Sequence, residues 1–378
     1  MQTAKRLEKV KEYYFSRKLK EIARLKSAGY DVLNLAIGSP DLPPHPSVIK
    51  SLQDAAISGP NGYQSYQGLP ELRGAISDFY KSKYNVAFNP EEEVLPLMGS
   101  KEGITHVSLA YLNPQENVLV PELSYPTYQS VTEMVDANVI KYPLLPEKAW
   151  EPDWSFFDQL KGNPKVLWIN YPHMPTGAKG ELAWLEKFVT IAKHHKMLLV
   201  HDNPYSFILN EEPHSIFNIA GAKEVAVELN SLSKTFNMAG WRVGWVCGKA
   251  KLLQPVLSIR SNMDSGMYYG IQKAAITAMK LGDEWYQRVN DTYRKRRDKV
   301  FELLDLLRCK YDKKQQGMFV WAKVTSGTGE SLVDELLQEN HVFITPGNVF
   351  GEAGKEYVRV SLCSPETIFE QAIDRIRR

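Results

Sequence analysis

The most reactive pattern in the 378-residue sequence is at Lys234, which closely follows Ser231 and directly follows Ser233 in the segment 231–244. A lysine amine can form a Schiff base with a carbonyl compound. Ser231 and Ser233 supply hydroxyl groups that can bind a phosphate, and the planar fork of Arg242 matches phosphate oxygens bidentately. A lone lysine is usually a solvated surface residue, but this combination predicts an amine held beside a phosphate-bearing carbonyl ligand.

A candidate acid, Asp202, follows the apolar run 197–200 and His201, at the carboxyl end of a predicted strand. A buried carboxylate beside the pyridine nitrogen of pyridoxal phosphate would keep that nitrogen protonated, as the cofactor needs in order to withdraw electrons. Tyr205, three residues further on, could donate to the phenolate oxygen of the same ring. Taken alone, Asp202 is more often a helix N-cap.

Two further anion-binding positions are predicted. Gly99, Ser100 and Lys101 follow the apolar run 94–98 and precede a helical pattern, so their amides can bind an anion, although most helix starts bind no ligand. Near the C-terminus, Arg359 could hold the carboxylate of an amino acid with its fork. For an isolated arginine, a surface salt bridge is the more common role.

Apolar runs and helical segments alternate between about residues 45 and 260. The clearest predicted strands are 117–121, 166–170, 197–202, 225–229 and 243–247, and the clearest helices are 101–112, 126–136 and 181–195. This alternation predicts an α/β fold with a mostly parallel sheet covered by helices on both faces. In such sheets ligands bind beyond the carboxyl ends of the strands, which is where the candidate residues lie.

The termini are predicted to form a second unit. A large domain, 45–282, is expected beside a smaller α+β domain made of 1–44 and 283–378. An amphipathic helix is expected over 3–28 and a short strand over 32–37.

A long helix is expected over 283–308. Its basic run, 294–297, is assigned to a solvated helix face rather than to a nucleic-acid site.

Composition limits the partners. The chain has 46 basic and 44 acidic residues, a net charge of +2, which favours neither nucleic acid nor membrane. Three widely spaced cysteines suggest neither disulfides nor a metal site and fit a reducing compartment. The charged N-terminus is unlike a signal peptide. The expectation is therefore a soluble, cytoplasmic protein without a metal ion.

Taken together, the motifs resemble those of class I and II aminotransferases of the fold-type I pyridoxal-phosphate family, nearest the aspartate and LL-diaminopimelate aminotransferase branch. The likeness covers nearly the whole chain, with the motifs in family order. The matching segments are 38–41, 63–73, 99–103, 124–126, 175–177, 202–205, 231–244 and 357–360. The resemblance implies the fold-type I architecture, with pyridoxal 5'-phosphate as the cofactor.

The resemblance also implies a role for each matching residue. Lys234 would carry the cofactor as a Schiff base and move the substrate proton, Asp202 would pair with the pyridine nitrogen, and Tyr205 would bind the phenolate oxygen. The ring would stack on Tyr125, and the substrate carboxylate would be held by Arg359 and the Gly38 backbone. The phosphate would be held by Ser231, Ser233, Arg242, the amides of Gly99, Ser100 and Lys101, and Tyr63 of a neighbouring subunit.

One position departs from the family pattern. The family asparagine before Pro-Thr-Gly, which donates to the phenolate oxygen and helps to hold the substrate, is Met174 here. Methionine has no donor. The neighbouring His173 is a possible replacement donor.

The function implied is a ping-pong aminotransferase acting on an α-amino acid and a 2-oxo acid, as a homodimer with shared active sites. A β-lyase that cleaves C–S bonds would use the same cofactor site and is the main alternative, favoured by the Met174 departure. A non-enzymatic, cofactor-sensing regulator domain is a third reading, although only about 35 residues precede the first motif.

Overall fold

A computed structural model describes residues 3–8 and 14–377. Its helices, numbered in chain order, are α1 Tyr14–Ser27, α2 Pro46–Ser58, α3 Pro70–Tyr84, α4 Ser100–Tyr111, α5 Pro126–Met134, α6 Trp154–Asp158, α7 Leu182–His194, α8 Ala250–Arg260, α9 Tyr269–Met279, α10 Asp283–Leu306, α11 Gly329–Glu339 and α12 Glu366–Arg377. Its strands are β1 Leu33–Asn34, β2 Val94–Leu97, β3 Asn117–Pro121, β4 Asn138–Tyr142, β5 Leu144–Leu145, β6 Glu151–Pro152, β7 Val166–Ile169, β8 Leu198–Asp202, β9 Ala226–Ser231, β10 Gly244–Gly248, β11 Lys310–Tyr311, β12 Phe319–Lys323, β13 Val342–Phe343, β14 Thr345–Pro346 and β15 Tyr357–Ser361.

The central element, called the large sheet below, has the strand order β2-β10-β9-β8-β7-β3-β4 in the described part of the chain. Strands β9, β8, β7, β3 and β4 run parallel, and β10 is antiparallel to both of its neighbours. Strands β7 to β10 are buried at every position, the polar residues of β8 and β9 included, because helices cover both faces of the sheet. The predicted mostly parallel sheet is confirmed.

The carboxyl ends of the parallel strands meet at one edge of the large sheet. There β3 ends at Pro121, β7 at Ile169, β8 at Asp202 and β9 at Ser231. Because parallel strands share an edge, the loops that follow them are brought side by side although they are distant in sequence.

A second sheet, called the small sheet below, has the order β11-β12-β15-β14 and is antiparallel. The strand expected over 32–37 is shorter than predicted, since only Leu33 and Asn34 pair, in parallel with β13. The side chain of Asn34 accepts a hydrogen bond from the amide of Ala36, which turns the chain away from β13. Residues 9–13 of the helix expected over 3–28 lie outside the described residues.

The assignment of the basic run 294–297 to a solvated helix face is wrong for Arg296. Its side chain is buried and donates to both carboxylate oxygens of Asp41, at 2.6 and 2.8 Å, and to the carbonyl of Leu362 at 3.0 Å. This bidentate pair fastens the loop 38–41 to α10. No helix in the described residues is both long and apolar enough to cross a membrane.

Candidate active site

A cavity of about 790 Å³ lies at the carboxyl edge of the large sheet, closed on one side by residues of β12 and β15 and by Phe350. It brings together all of the predicted site residues except Gly99 and Tyr63. Its lining includes Gly38, Ser100, Lys101, Tyr125, Met174, Asp202, Tyr205, Ser231, Ser233, Lys234, Arg242 and Arg359. Gly99 immediately precedes the lining residue Ser100, whereas Tyr63 is 91% exposed and is not part of the lining.

The amine of Lys234 lies in the turn that follows β9. Its Nζ donates to the carbonyl of Gly38 at 2.6 Å, which places Gly38 beside the amine. Burial lowers the pKa of the Lys234 amine below its ordinary value, and the positive charges of Arg359 and Arg242 act in the same direction. A larger fraction of this amine is therefore neutral and nucleophilic than of a lysine in water.

The Asp202 carboxyl closes the end of β8. One oxygen, Oδ2, accepts a hydrogen bond from the hydroxyl of Tyr128 at 2.7 Å, while Oδ1 is buried and has no hydrogen-bond partner among the described residues. Burial raises the pKa of this carboxyl to about 6, against the lowering effect of the Tyr128 hydrogen bond. The N-cap alternative is wrong, because a turn and not a helix follows Asp202.

Hydroxyl, amide and guanidinium groups surround one end of the cavity. The Oγ atoms of Ser231 and Ser233 are 2.7 Å apart, and the guanidinium of Arg242 is held by the carbonyl of Ala239 at 2.9 Å. Gly99, at φ +89°, precedes α4, and a Cβ built on it would lie 2.2 Å from Nη2 of Arg242. Only glycine allows the guanidinium to approach the start of the helix, so this end is built for an anion.

The guanidinium of Arg359 lies between two phenyl rings. Its central carbon is 3.9 Å from the centroid of Phe319 and 4.5 Å from that of Phe350. Its Nη2 donates to the carbonyl of Ala36 at 3.1 Å, and its Nη1 donates to Sδ of Met174 at 3.3 Å. The side chain is 5% exposed, so the surface salt-bridge alternative is wrong.

The segment with the unusual methionine does not bring His173 to the cavity. Its Nδ1 is hydrogen-bonded to Oγ1 of Thr176 at 2.8 Å, and burial lowers the pKa of the ring to about 4. His173 is absent from the cavity lining, so the idea that it replaces the missing donor is not supported. Met174 itself is held in place by Asn170, whose Oδ1 accepts from its amide at 2.8 Å.

Sequence reasoning missed several residues that line the cavity or support it. Asn170 donates to the carbonyl of Asp202 at 2.6 Å, and Tyr128 holds the Asp202 carboxylate. The only sequence signal for Tyr128 is its position three residues after Tyr125, near the start of one helix. Nothing in the sequence indicated Phe319 or Phe350, because Phe319 lies beside Arg359 through the pairing of β12 with β15 and Phe350 lies in a short 3-10 helix after β14.

The chain is similar to known proteins over nearly its whole length. The family described as aminotransferase class I and II matches residues 30–376. An LL-diaminopimelate aminotransferase of Oleidesulfovibrio alaskensis is 38% identical over 99% of this chain and 98% of its own length. One of Dehalococcoides mccartyi is 37% identical over 100% and 98%.

Solved structures give the same result. Substrate-bound BacF from Bacillus subtilis is 33% identical with a TM-score of 0.94, covering 100% of this chain and 97% of that one. A double mutant of aspartate aminotransferase from Thermus thermophilus is 25% identical with a TM-score of 0.93, covering 100% and 99%. The chain therefore belongs to the class I and II aminotransferases, pyridoxal-phosphate-dependent transferases of amino groups with the type I fold.

Proposed function

We propose that the 790 Å³ cavity is the active site of this aminotransferase and that Lys234 is the residue to which pyridoxal phosphate is attached. One observation carries this assignment: the Lys234 amine, the Asp202 carboxylate and the Arg359 fork line a single cavity although they come from opposite parts of the chain. These are the groups needed, respectively, to bind a carbonyl, to hold a ring proton and to grip a carboxylate.

The lining fits pyridoxal phosphate at both ends of the molecule. The buried Oδ1 of Asp202, which lacks a hydrogen-bond partner among the described residues, suits a protonated pyridine nitrogen. The anion-binding end formed by Ser100, Ser231, Ser233 and Arg242 suits the phosphate. When bound, the cofactor supplies the electron-withdrawing ring and the carbonyl that accepts the amino group.

The protein residues then bind, orient and move protons. With the cofactor bound, the neutral Lys234 amine would accept the proton from the substrate α-carbon and return it, which the lowered pKa of the amine favours. Arg359 holds the α-carboxylate and so fixes which bond of the substrate faces the ring. Tyr125 packs against the ring. Burial raises the pKa of Tyr205, so its hydroxyl stays protonated and can donate to the phenolate oxygen.

The choice of amino acid is a finer proposal. Because full-length relatives are LL-diaminopimelate aminotransferases, we take LL-diaminopimelate as the first donor to test. Asp202 is the single carboxylate among the described lining residues of the cavity. Because no other lining carboxylate is available, the second amino group of that substrate would have to bind to hydroxyl or carbonyl oxygens, or to residues of a second copy of the chain.

A panel of amino donors with 2-oxoglutarate tests this function. Purified protein loaded with pyridoxal phosphate is given LL-diaminopimelate, aspartate, aromatic and apolar amino acids, and glutamate formation is followed. Initial rates should give the parallel double-reciprocal lines of ping-pong transfer. Release of pyruvate and ammonia from a sulfur-containing donor, without glutamate, would contradict the proposal and favour the β-lyase alternative.

The assembly proposed is a homodimer with shared active sites. Three large apolar side chains are strongly exposed: Tyr63 at 91%, Ile57 at 86% and Met263 at 57%. Exposure of this extent is unusual for large apolar side chains on a surface that no other chain covers. The backbone of Gly266 packs against that of Gln64, so the two exposed segments form one surface. A second copy covering it would bring Tyr63 to the phosphate end of the neighbouring site.

Mixed dimers provide the test of sharing. Lys234→Ala and Tyr63→Ala each damage every site in their own homodimer. After mild denaturation and joint refolding, a heterodimer contains one site with both native residues, so activity should rise above that of either variant refolded alone. A fully active monomer in sedimentation at assay concentration, or no gain on mixing, would refute shared sites.

The domain division and the location of the protein are also proposals. The large sheet uses residues within 45–282, and the small sheet uses residues within 283–378. Pairing of β1 with β13 and the bond between Asp41 and Arg296 support grouping 1–44 with the latter. Cytoplasmic location is supported by the three cysteines, which are all buried free thiols.

A further inference from the structure

A second cavity, of about 630 Å³, lies outside the active site and is called the tryptophan cleft here, after Trp150, Trp184 and Trp321 in its lining. One wall comes from residues 146–150 and 176–184, and the other from the small sheet and the segment 310–316. The cleft thus lies between the two parts of the chain that carry the two sheets. Its volume is in the range of sites for small organic molecules.

Aromatic residues line the cleft, among which Trp150 and Tyr357 are partly exposed and Trp321 is 2% exposed. Trp321 and Tyr357 are stacked, with centroids 5.1 Å apart and an interplanar angle of 6°. Trp150 meets this stack edge-on, at 5.3 Å from Tyr357 and 6.3 Å from Trp321. Trp184 and Tyr311 complete the aromatic lining. Such faces bind flat rings by offset or edge-on contacts.

The backbone that presents Trp150 is strained. Ala149 and Trp150 both have left-handed backbone angles, at φ +53° and +66°. Two consecutive non-glycine residues in this region are unfavourable, and strain of this kind is kept where the surroundings or a function require the conformation. Here the conformation directs the chain so that the Trp150 ring closes one side of the cleft.

Four lysines and two carboxylates line the cleft, and two of these lysines are already paired with carboxylates outside it. Lys179, Lys310, Lys314 and Lys323 line it, against the carboxylates of Glu181 and Asp312. Lys179 and Lys323 have their own ion pairs, with Glu212 at 2.6 Å and Glu356 at 3.0 Å. For Lys310 and Lys314, the described residues offer no carboxylate within 4.0 Å.

The strand pairing adds a further reason to expect an anion. Lys310 of β11 lies directly opposite Lys323 of β12. Like charges in directly opposed positions of an antiparallel pair are destabilising. Glu356 already offsets the charge of Lys323 at 3.0 Å, so the ammonium of Lys310 is the one beside which an anion is still expected.

We propose that the tryptophan cleft binds a small aromatic carboxylate, with its ring against the Trp150, Trp321 and Tyr357 surface and its carboxylate toward Lys310 and Lys314. The aromatic surface selects the flat ring, and Lys310 and Lys314, which have no ion pair among the described residues, select the negative charge. A ligand there would contact both parts of the chain at once. The site is separate from the active-site cavity, with which it shares no lining residue.

Indole-3-carboxylate is a suitable probe, because it has no amino or oxo group that the enzyme could exchange. Its binding to the dimer loaded with pyridoxal phosphate is measured by titration calorimetry. We expect saturable binding to wild type and to Arg359→Lys. Trp150→Ala should weaken it by at least about tenfold, as expected for loss of an aromatic anchor.

The charge requirement is tested with exposed lysines, which avoids any dependence on the folding of Trp150→Ala. Lys310→Ala/Lys314→Ala should weaken binding severalfold, and indole, which lacks the carboxylate, should bind less tightly than indole-3-carboxylate. Lys313→Ala is the matched control, since Lys313 is adjacent but does not line the cleft, and it should bind like wild type.

Three results would overturn the proposal. One is the absence of saturable binding to wild type at millimolar probe. Another is loss of binding in Arg359→Lys with retention in the lysine double variant, which would place the probe in the active site. The third is an equal effect of Lys313→Ala and of the double variant, which would indicate general surface charge.

Discussion

Replacing Arg359 with lysine tests the carboxylate-binding site most directly. The substitution keeps one positive charge but removes the planar fork. In the structure the guanidinium fills the space between Phe319 and Phe350, with Nη2 on the Ala36 carbonyl and Nη1 on Sδ of Met174, a weak acceptor that a carboxylate oxygen would replace as partner. A lysine ammonium in the same place has no fixed donor directions and must divide its hydrogen bonds between the carbonyl and the substrate.

The size of the effect follows from that loss. Removing one member of a buried, hydrogen-bonded charge pair costs about 2–5 kcal/mol, and the retained charge of lysine places this variant at about 2–4 kcal/mol. The expected fall in kcat/KM is therefore roughly 30- to 900-fold. Because the donors interact with the α-carboxylate before and during proton transfer, both KM and kcat should change.

Glutamate formation from 2-oxoglutarate, with the best amino donor of the panel, gives kcat and KM for wild type and Arg359→Lys. Affinity for pyridoxal phosphate should be nearly unchanged, since Arg359 lies on β15, away from the anion-binding end of the cavity. Arg294→Lys is the matched control, because this exposed arginine pairs only with Asp291, among the described residues, and should leave the kinetics unaltered. A kcat/KM within about threefold of wild type would refute the assignment of Arg359 to the substrate carboxylate.

Three further predictions concern the cofactor end of the cavity. Borohydride reduction of the yellow holoenzyme should attach pyridoxal phosphate to Lys234, and a label mapped to any other lysine would refute its role. In cofactor-free protein the pKa of Asp202, raised from 3.8 to about 6, means that ionising this buried carboxyl above pH 6 costs roughly 3 kcal/mol of stability, a cost that disappears as the pH falls below 4. Asp202→Asn should thus raise Tm by a few degrees at pH 8 and have little effect at pH 4; an equal change at both values would contradict this cause. Met174→Asn restores a donor beside the bound cofactor, so the pH midpoint of the cofactor absorption band should fall by about one to two pH units, on the scale of one hydrogen bond to a charged group; an unchanged or raised midpoint would mean that another group already donates.

The sequence predicted the large sheet well, because its buried parallel strands contain apolar runs that alternate regularly with helical segments. The boundaries of β3 were correct to the residue, and those of β7 and β8 to within one residue. The residues that follow each strand, Asp202 and Lys234 among them, could be placed at one edge by topology alone. Local sequence was thus sufficient to place those strands and site residues whose positions depend on periodicity and strand order alone.

What sequence could not predict depends on contacts between distant segments. Arg296 belongs to a run of four basic residues, and its buried pairing with Asp41 exists only because α10 packs beside the N-terminal loop. Likewise, the thioether of Met174 meets the Arg359 guanidinium across 185 positions. Such contacts leave no periodic pattern in the sequence, because each partner, taken alone, is a residue of a type that is common on the surface or in the core.

The parallel pairing of β1 with β13 has a consequence for how the chain is made. The two strands lie about 300 residues apart, and closing a loop of that length costs on the order of 5 kcal/mol. A chain emerging from the ribosome begins at its N-terminus, so all strands of the large sheet, which end at Gly248, can pair before Val342 has been synthesised. During that interval β1 has no partner, and Arg359 and the strand that carries it do not yet exist. A nascent chain halted near residue 340 would contain the side of the cavity that carries Lys234 and Asp202 but would lack Arg359. The ability to bind a substrate carboxylate would therefore arise only when the last few dozen residues have been added.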